Sequence, residues 1–481
     1  MGEGPNLVLW KEFPIVRTRY MAEDSYGCAW AEGSGQYPQE YATGVVSRPC
    51  VGRDSDPLTQ QLLEQVIESE NMRLAWKRVK RNGGAAGVDG RSIEETAEFL
   101  RDKWPDLRQR LYDGTYRPQP VLRVEIPKPG GGMRKLGIPT VVDRLVQQAI
   151  SQVLTPLFDP EFSESSYGFR PGRNAHDAVQ KAREYQQSGK RWVVDMDLKQ
   201  FFDEVDHDIL MSRLGKKIKD KRLKRLLNAF LKAGVQCGAK LVPTDKGTPQ
   251  GGPLSPLLSN ILLDDLDQEL ERRGHSFCRY ADDCNVYVGS RRAGERVMQS
   301  MTKFVEGLKL KVNRAKSAVG RPWKRSFLGF SFTSQRQPRI RIPKETLKQF
   351  RQKLKALFRM GRGRNLGRFT QEDLNPVLRG WSQYFGLAET KGYAEELDGW
   401  IRRRLRCVLW RQWKRGRTRY KKLRRRGVEE ERTRASAFNG RGPWWNSGSS
   451  HMNDAFRKRY FDKLGLYSLI DALRCKRRIT I

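Results

Sequence analysis

Residues 279–288 read Arg-Tyr-Ala-Asp-Asp-Cys-Asn-Val-Tyr-Val, and no other stretch narrows the possible folds as far. Phe277 before the acidic pair and Val286 and Val288 after it fall at alternating positions, the period of half-buried strands on either side of a turn. The pattern predicts a β-hairpin with Asp282 and Asp283 at its tip. Two like charges there repel each other. A divalent cation turns that repulsion into binding, because hard carboxylate oxygens suit magnesium and a single pair leaves coordination positions free for phosphates. An isolated Asp-Asp turn is more often a solvated turn, so the weight falls on the segments that accompany it.

A second acidic strand lies upstream. Trp192, Val193 and Val194 form a short β-prone run, and Asp195 and Asp197, two residues apart, point to the same side of a strand. A third carboxylate beside the hairpin tip would permit the two-metal arrangement of polymerases and nucleases, in which ions activate an attacking hydroxyl and neutralise the leaving group. Carboxylates alone do not choose between those chemistries. Between the acidic segments, Gly247-Thr248-Pro249-Gln250-Gly251-Gly252-Pro253 opens a long helix. Ser255 suits its N-cap, Pro256 its first position, and Leu258, Ile261, Leu262 and Leu266 an apolar stripe. The N–H groups of this loop suit a phosphate or a base pair, with Gln250 projecting into the same cleft.

In order and spacing these blocks resemble the reverse transcriptase palm, in the branch encoded by group II introns. The acidic strand, the Thr-Pro-Gln-Gly-Gly loop and the Tyr-Ala-Asp-Asp hairpin are followed by residues 307–317 and 326–330, similar to the family's later blocks. Residues 134–140 and 166–173 are similar to its fingers. The resemblance implies an α+β fold: right-hand polymerase fingers and palm with an antiparallel palm sheet, an α-helical thumb and maturase domain, and a small C-terminal DNA-binding-like segment. It implies that Asp197, Asp282 and Asp283 are the catalytic carboxylates and hold two magnesium ions, with Asp195 ranked below them. It also implies nucleotide contacts. Arg134 and Lys128 would grip triphosphate oxygens, one as a fork and the other as a point charge, and Gln250 would touch nucleotide and template. Phe202 would lie under the sugar, where a ring collides with a 2′-hydroxyl and favours deoxynucleotides. Lys316 would protonate the departing pyrophosphate, and Phe327 to Phe330 would form the primer grip. Plainer readings compete: core for Phe202, a charged glycine-flanked loop for Arg134 and Lys128, a solvated lysine for Lys316, and an apolar hairpin for residues 327–330.

With 92 Lys and Arg against 55 Asp and Glu, the formal net charge of +37 suits a polyanionic partner and steeply salt-dependent binding, although a ribosomal or membrane-surface protein would share it. No run of about 18 apolar residues occurs, so no membrane span is expected. The seven cysteines are scattered and odd in number, which suits a reducing compartment. His275, Cys278 and Cys284 lack a second close ligand pair for zinc, and packed thiols are expected instead. No secretory leader is expected, and the expected location is the bacterial cytoplasm beside the nucleoid.

Residues 1–55 show no sustained period and receive no role. Leu58, Leu62, Leu63, Val66 and Ile67 predict one amphipathic helix from Pro57 to Arg81, ended by Asn82-Gly83-Gly84. Thr140, with Asp143 three residues on, predicts a second capped helix. Fingers and palm are expected over 56–335, thumb and maturase region over 336–428, and the tail over 429–481. In the thumb, Arg402, Arg403, Arg404 and Arg406 and the basic run 415–426 interleave with Trp381, Tyr384, Trp400, Trp410 and Trp413. Cations for phosphate and planes for stacking predict an RNA surface, against the plainer alternative of a solvated face. The tail through Trp444 and Trp445 resembles the family's DNA-binding segment, with a docked structural helix pair as the alternative. The paired cysteines of the family's His-Asn-His nuclease are not found, so no endonuclease is expected. The implied partners are group II intron RNA, a DNA target and primer, and dNTPs; oligomeric state is not legible. The function implied is an RNA-directed DNA polymerase that also assists splicing of its intron. The alternatives are a splicing cofactor without polymerase activity and a reverse transcriptase recruited to bacterial defence.

Overall fold

The protein is described by a computed structural model over residues 59–127 and 133–479. In chain order its main strands are β1 (Val121–Pro127), β2 (Met133–Ile138), β3 (Trp192–Asp197), β4 (Val235–Cys237), β5 (Lys240–Val242), β6 (Ser276–Tyr280), β7 (Asp283–Val288) and β8 (Ala318–Gly320). The expected hairpin is β6–β7, and it continues through β3 to β8 as an antiparallel sheet. A second sheet has the order β2-β1-β4-β5, with β1 and β4 parallel.

The register of the first sheet follows from its two faces. Val194 pairs with Val286 and Met196 with Cys284, and all four side chains are buried in the main apolar core. Val194, Met196 and Val286 each contribute about 1.5–3 kcal/mol relative to an exposed side chain, and a one-residue slip would turn the whole set to the other face. The opposite face carries the pairs Val193–Tyr287, Asp195–Asn285 and Asp197–Asp283. Apolar pairing on one side therefore fixes which acids meet on the other. Helices Ala175–Gln187 and Arg291–Gly307 pack against this sheet, as does Ser255–Arg272.

The helix expected from Pro57 to Arg81 is two helices, Leu62–Val66 and Ser69–Asn82, with the extended Glu68 (ψ 138°) between them; Pro57 and Leu58 lie outside the described residues. The reason is phase. Leu62, Leu63 and Val66 occupy one side of a helix, whereas Met72, Ala75, Trp76 and Val79 would fall on roughly the opposite side of the same straight helix. The break lets both sets enter the core. At the far end Gly83, at φ +63°, donates its N–H to the Val79 carbonyl and stops the helix.

Two compact units divide between Arg321 and Pro322, upstream of the expected boundary at 335/336. The second is largely helical. Phe350, Leu354, Leu378, Leu397, Leu405 and Trp410 form its core, and Met452, Phe456, Phe461 and Leu469 from the tail belong to the same core. Asp398, in the helix Gly392–Gln412, accepts hydrogen bonds from the Leu469 and Ile470 N–H groups (3.0 and 3.2 Å) and from the Ser468 hydroxyl (2.8 Å), capping the final helix. The tail is thus docked as a structural part of this unit.

Candidate active site

Asp197 ends β3 and Asp283 begins β7, and the two are direct cross-strand partners. Directly opposed residues hold their Cβ atoms about 4.5–5.5 Å apart. Asp282 sits one residue earlier, in the two-residue turn with Ala281. Burial pushes the Asp282 carboxyl above its ordinary value; a backbone hydrogen bond at the same residue opposes this, the neighbouring Asp197 charge adds to it, and Arg134 and Lys316 pull it back. Three carboxylates from two distant segments therefore share one end of the sheet.

Residues 313–317 hold Asp197. Asn313 Nδ2 donates to Asp197 Oδ2 at 2.8 Å, and the Asn313 N–H donates to the Asp197 carbonyl at 2.8 Å. The Asp197 N–H donates to Ser317 Oγ at 3.0 Å, and Lys316 Nζ lies 3.8 Å from Asp197 Oδ2. Asn313 and Ser317 carry no role in the sequence reading: nothing in their spacing reports that a loop 120 residues downstream grips this acid. Asp195, opposite Asn285 and flanked by Ala318, lies further inside the sheet.

The Gly-rich loop is strapped to its neighbours by backbone bonds. Gly247 N–H donates to the Val205 carbonyl and Thr248 N–H to the Phe202 carbonyl, both at 2.7 Å, while the Gln250 carbonyl accepts from Gly137 of β2 at 2.9 Å. Gly251, at φ +127°, lies so close to β2 that a Cβ would sit 2.8 Å from the Gly137 carbonyl oxygen. Ser255 is not the N-cap expected of it. The helix begins at Ser255 itself, and its hydroxyl donates to the Pro249 carbonyl at 2.7 Å and accepts from Thr248 Oγ1 at 3.0 Å, closing the loop on itself. The loop thus ties the Phe202 segment to the strand that carries Arg134. Phe202 is half-buried, packed edge-on against the buried Phe201 at 5.3 Å, so it is neither free surface nor full core. Arg134 is exposed on β2, and Lys128 lies outside the described residues.

Oxygen donors without histidine or cysteine suit a hard divalent cation. Among the described residues no three Asp, Glu, His or Cys side chains are gathered closely enough to cage an ion unaided. An open set fits magnesium, which takes one or two carboxylates and fills its remaining positions with water and substrate phosphates. The charge that Asp197 exerts on Asp282 is the repulsion such an ion would relieve.

Residues 126–332 match the reverse transcriptase (RNA-dependent DNA polymerase) family, and residues 347–427 match the maturase-specific domain of group II introns. Protein YkfC of Escherichia coli (strain K12) is 33% identical over 350 residues, which cover 62% of this chain and 91% of that protein. The chain belongs to the group II intron reverse transcriptases. The group II intron-encoded protein LtrA of Lactococcus lactis subsp. cremoris is 39% identical over 218 residues, 44% of this chain and 35% of that protein. A putative COX1/OXI3 intron 2 protein of Saccharomyces cerevisiae is 28% identical over 258 residues, 53% of this chain and 29% of that protein. The matched stretches span about a third of those two proteins. A solved chain of a partial Cas6-RT-Cas1–Cas2 complex overlays with a TM-score of 0.35 at 24% identity, over 55% of this chain and 46% of that one, too loosely to carry an argument. Group II intron reverse transcriptases polymerise DNA on RNA with divalent metal ions, and the maturase-specific domain marks intron RNA as a partner. No described helix is long and apolar enough to cross a membrane.

In the maturase region the four arginines expected to meet RNA differ in exposure. Arg406 is only 9% exposed, donates from Nε to the Phe456 carbonyl at 3.0 Å and lies over the Phe461 ring, so its charge is spent inside the unit. Burial holds its guanidinium down, to about 10. Arg402, Arg403 and Arg404 are half-buried, and the last two stack on Trp444 of the tail at 4.1 and 4.4 Å. The periodic pattern of a basic helix does not reveal that another segment covers it. Phe327 and Phe330 exchange backbone hydrogen bonds of 2.9 Å around a tight turn, whose Leu328 carbonyl accepts from the Tyr384 hydroxyl at 2.9 Å.

Proposed function

We propose that this chain copies the RNA of its group II intron into DNA by two-metal nucleotidyl transfer at Asp197, Asp282 and Asp283, and that it binds the same RNA to assist splicing and mobility. The observation that carries this reading is the pairing of Asp197 with Asp283 beside Asp282 at the open end of the sheet. Two magnesium ions on these carboxylates would favour the 3′-alkoxide of a primer and neutralise charge on pyrophosphate. The chain's own residues do the rest. Asn313 keeps one Asp197 oxygen occupied, which would leave the other to hold an ion. Arg134 and Lys128 hold the triphosphate, Gln250 meets nucleotide and template on the strapped loop, and Lys316 supplies a proton to the leaving group. Phe202, braced by Phe201, bars the 2′-hydroxyl.

The division of labour follows the sequence: fingers and palm over 56–335, maturase contacts over 336–428 with Arg402, Arg403 and Arg404 at its edge, and a DNA-contacting tail over 429–481. A DNA target and primer are the further partners, and the bacterial cytoplasm near the nucleoid is the place of action. The test is primer extension on an RNA template. Magnesium-dependent extension should vanish in Asp282→Asn while intron RNA binding, followed by filter retention, is unchanged. Retained extension in that variant would remove the carboxylate assignment; binding without extension in the wild type would make the chain a splicing cofactor alone.

A further inference from the structure

The hairpin tip needs something beyond its carboxylates. Ala281 holds φ +55°, a left-handed conformation that strains a non-glycine residue, and Asp282 hangs from its peptide unit. Any turn of that peptide re-aims Asp282. Gly168 presses in so closely that a Cβ there would collide with the Ala281 backbone nitrogen. Arg279 of β6, which is 0% exposed, as is its ion-pair partner Asp267, meets the same tip at the Ala281 carbonyl.

Every donor of the Arg279 guanidinium is used. Nε donates to Asp267 Oδ1 at 2.7 Å and Nη2 to its Oδ2; Nη1 donates to Asn260 Oδ1 and to the Ala281 carbonyl, each at 3.0 Å; Nη2 also donates to Ser166 Oγ at 2.8 Å. Asn260 in turn donates from Nδ2 to the Gly168 carbonyl at 2.8 Å. These partners come from three places: the helix opened by the Gln250 loop, the segment that lines the hairpin, and the tip itself. A buried ion pair adds little to stability, because desolvation cancels most of its attraction. What a saturated fork adds is direction, since its donors are rigidly splayed.

We propose that Arg279, seated on Asp267, is the positioning residue of the metal site: by holding the Ala281 carbonyl it fixes the planar 281–282 peptide and hence the direction of Asp282. The same grip couples the seating of the helix behind Gln250 to the hairpin tip. The inference rests on the carboxylate reading above, and its test separates the two. Mn²⁺ serves as the probe, its binding to the full chain followed by the EPR signal of the free ion, with circular dichroism reporting folding. Wild type should show a Mn²⁺ site that Asp282→Asn loses; if it does not, the carboxylate reading fails first. R279K keeps a cation beside Asp267, but three donors on one nitrogen cannot span four groups. It should fold and bind Mn²⁺ at that site more weakly by about tenfold or more. Adding Ala281→Gly, which adopts positive φ without strain, should restore part of the loss, a recovery that an ion pair serving stability alone would not give. Wild-type Mn²⁺ affinity in R279K, or a deficit that Ala281→Gly leaves untouched, overturns the proposal. Should R279K not fold, Arg279→Met combined with Asp267→Leu, which removes the grip on Ala281 without leaving a buried charge unpaired, takes its place with the same readouts and the same two outcomes.

Discussion

Phe202 shows how one residue divides between packing and specificity. Its ring leans edge-on against Phe201, which anchors the short helix Phe201–Glu204 in the core, and its carbonyl is tied to Thr248 of the Gly-rich loop. A ring braced in this way keeps its position when a sugar presses on it. Replacing it with alanine leaves Phe201 in place and opens the space, so Phe202→Ala is expected to fold and to relax deoxy-over-ribonucleotide discrimination by about tenfold to a hundredfold in single-nucleotide incorporation. Unchanged discrimination would return Phe202 to the core. Legibility differs among the acids and their supports. Asp197, Asp282 and Asp283 stand out in the sequence because adjacent or alternating carboxylates beside β-prone runs are unusual. Asn313 and Arg279 do not, since Asp197 lies far from the first and Ser166 far from the second in the chain.

At the scale of elements, the helix Val141–Phe158 shows a cap doing more than its sequence pattern suggests. Thr140 caps it by accepting the Asp143 N–H, as expected, but Asp143 also takes hydrogen bonds from the Thr140 hydroxyl (2.7 Å), the Tyr116 hydroxyl (2.8 Å) and the Gln119 N–H (3.1 Å). That network pins the segment leading into β1 to the helix start. Burial, working against these bonds, pushes the Asp143 carboxyl from 3.8 up to about 6. The folded state therefore keeps its proton to higher pH than the unfolded chain. The corresponding stability is fully present below 3.8 and is lost as pH rises through 6, about 3 kcal/mol in all. Asp264, also raised to about 6 by burial, acts in the same sense. Urea midpoints of the wild type should fall between about pH 4 and 6, and Asp143→Asn should make that slope shallower without abolishing it. A variant slope equal to the wild type's would clear Asp143 of the effect.

For the molecule as a whole, net charge says that a polyanion is the partner, while burial says which cations meet it. Arg406 is committed inside the second unit and Arg403 and Arg404 are half-buried against Trp444, with part of each left to meet RNA, whereas Lys421, Lys422 and Arg425 are exposed. Changing those three to glutamine should weaken intron RNA binding and lower the salt slope by about 2, at roughly 0.7–0.9 for each phosphate no longer neutralised. An unaltered slope in filter binding across salt concentrations would assign them to ordinary solvated surface. Arg406→Gln should instead lower the melting temperature, because it strips a donor from the buried Phe456 carbonyl.

The sequence by itself determined the local chemistry: an acidic hairpin, a β-prone acidic strand, a Gly-rich loop opening a helix, and an excess of basic charge. Each is a pattern of short period, set by backbone geometry and side-chain direction within a few residues. Only the tertiary structure decided that Val194 and Met196 pair with Val286 and Cys284, and so that Asp197 faces Asp283. It alone broke the first helix at Glu68, covered the basic helix with Trp444, and closed the five donors of Arg279 onto the hairpin tip, the helix Ser255–Arg272 and the Ser166 segment. Those outcomes depend on which surfaces lose water to one another, a contest between parts of the chain that lie far apart in sequence and that no local pattern records.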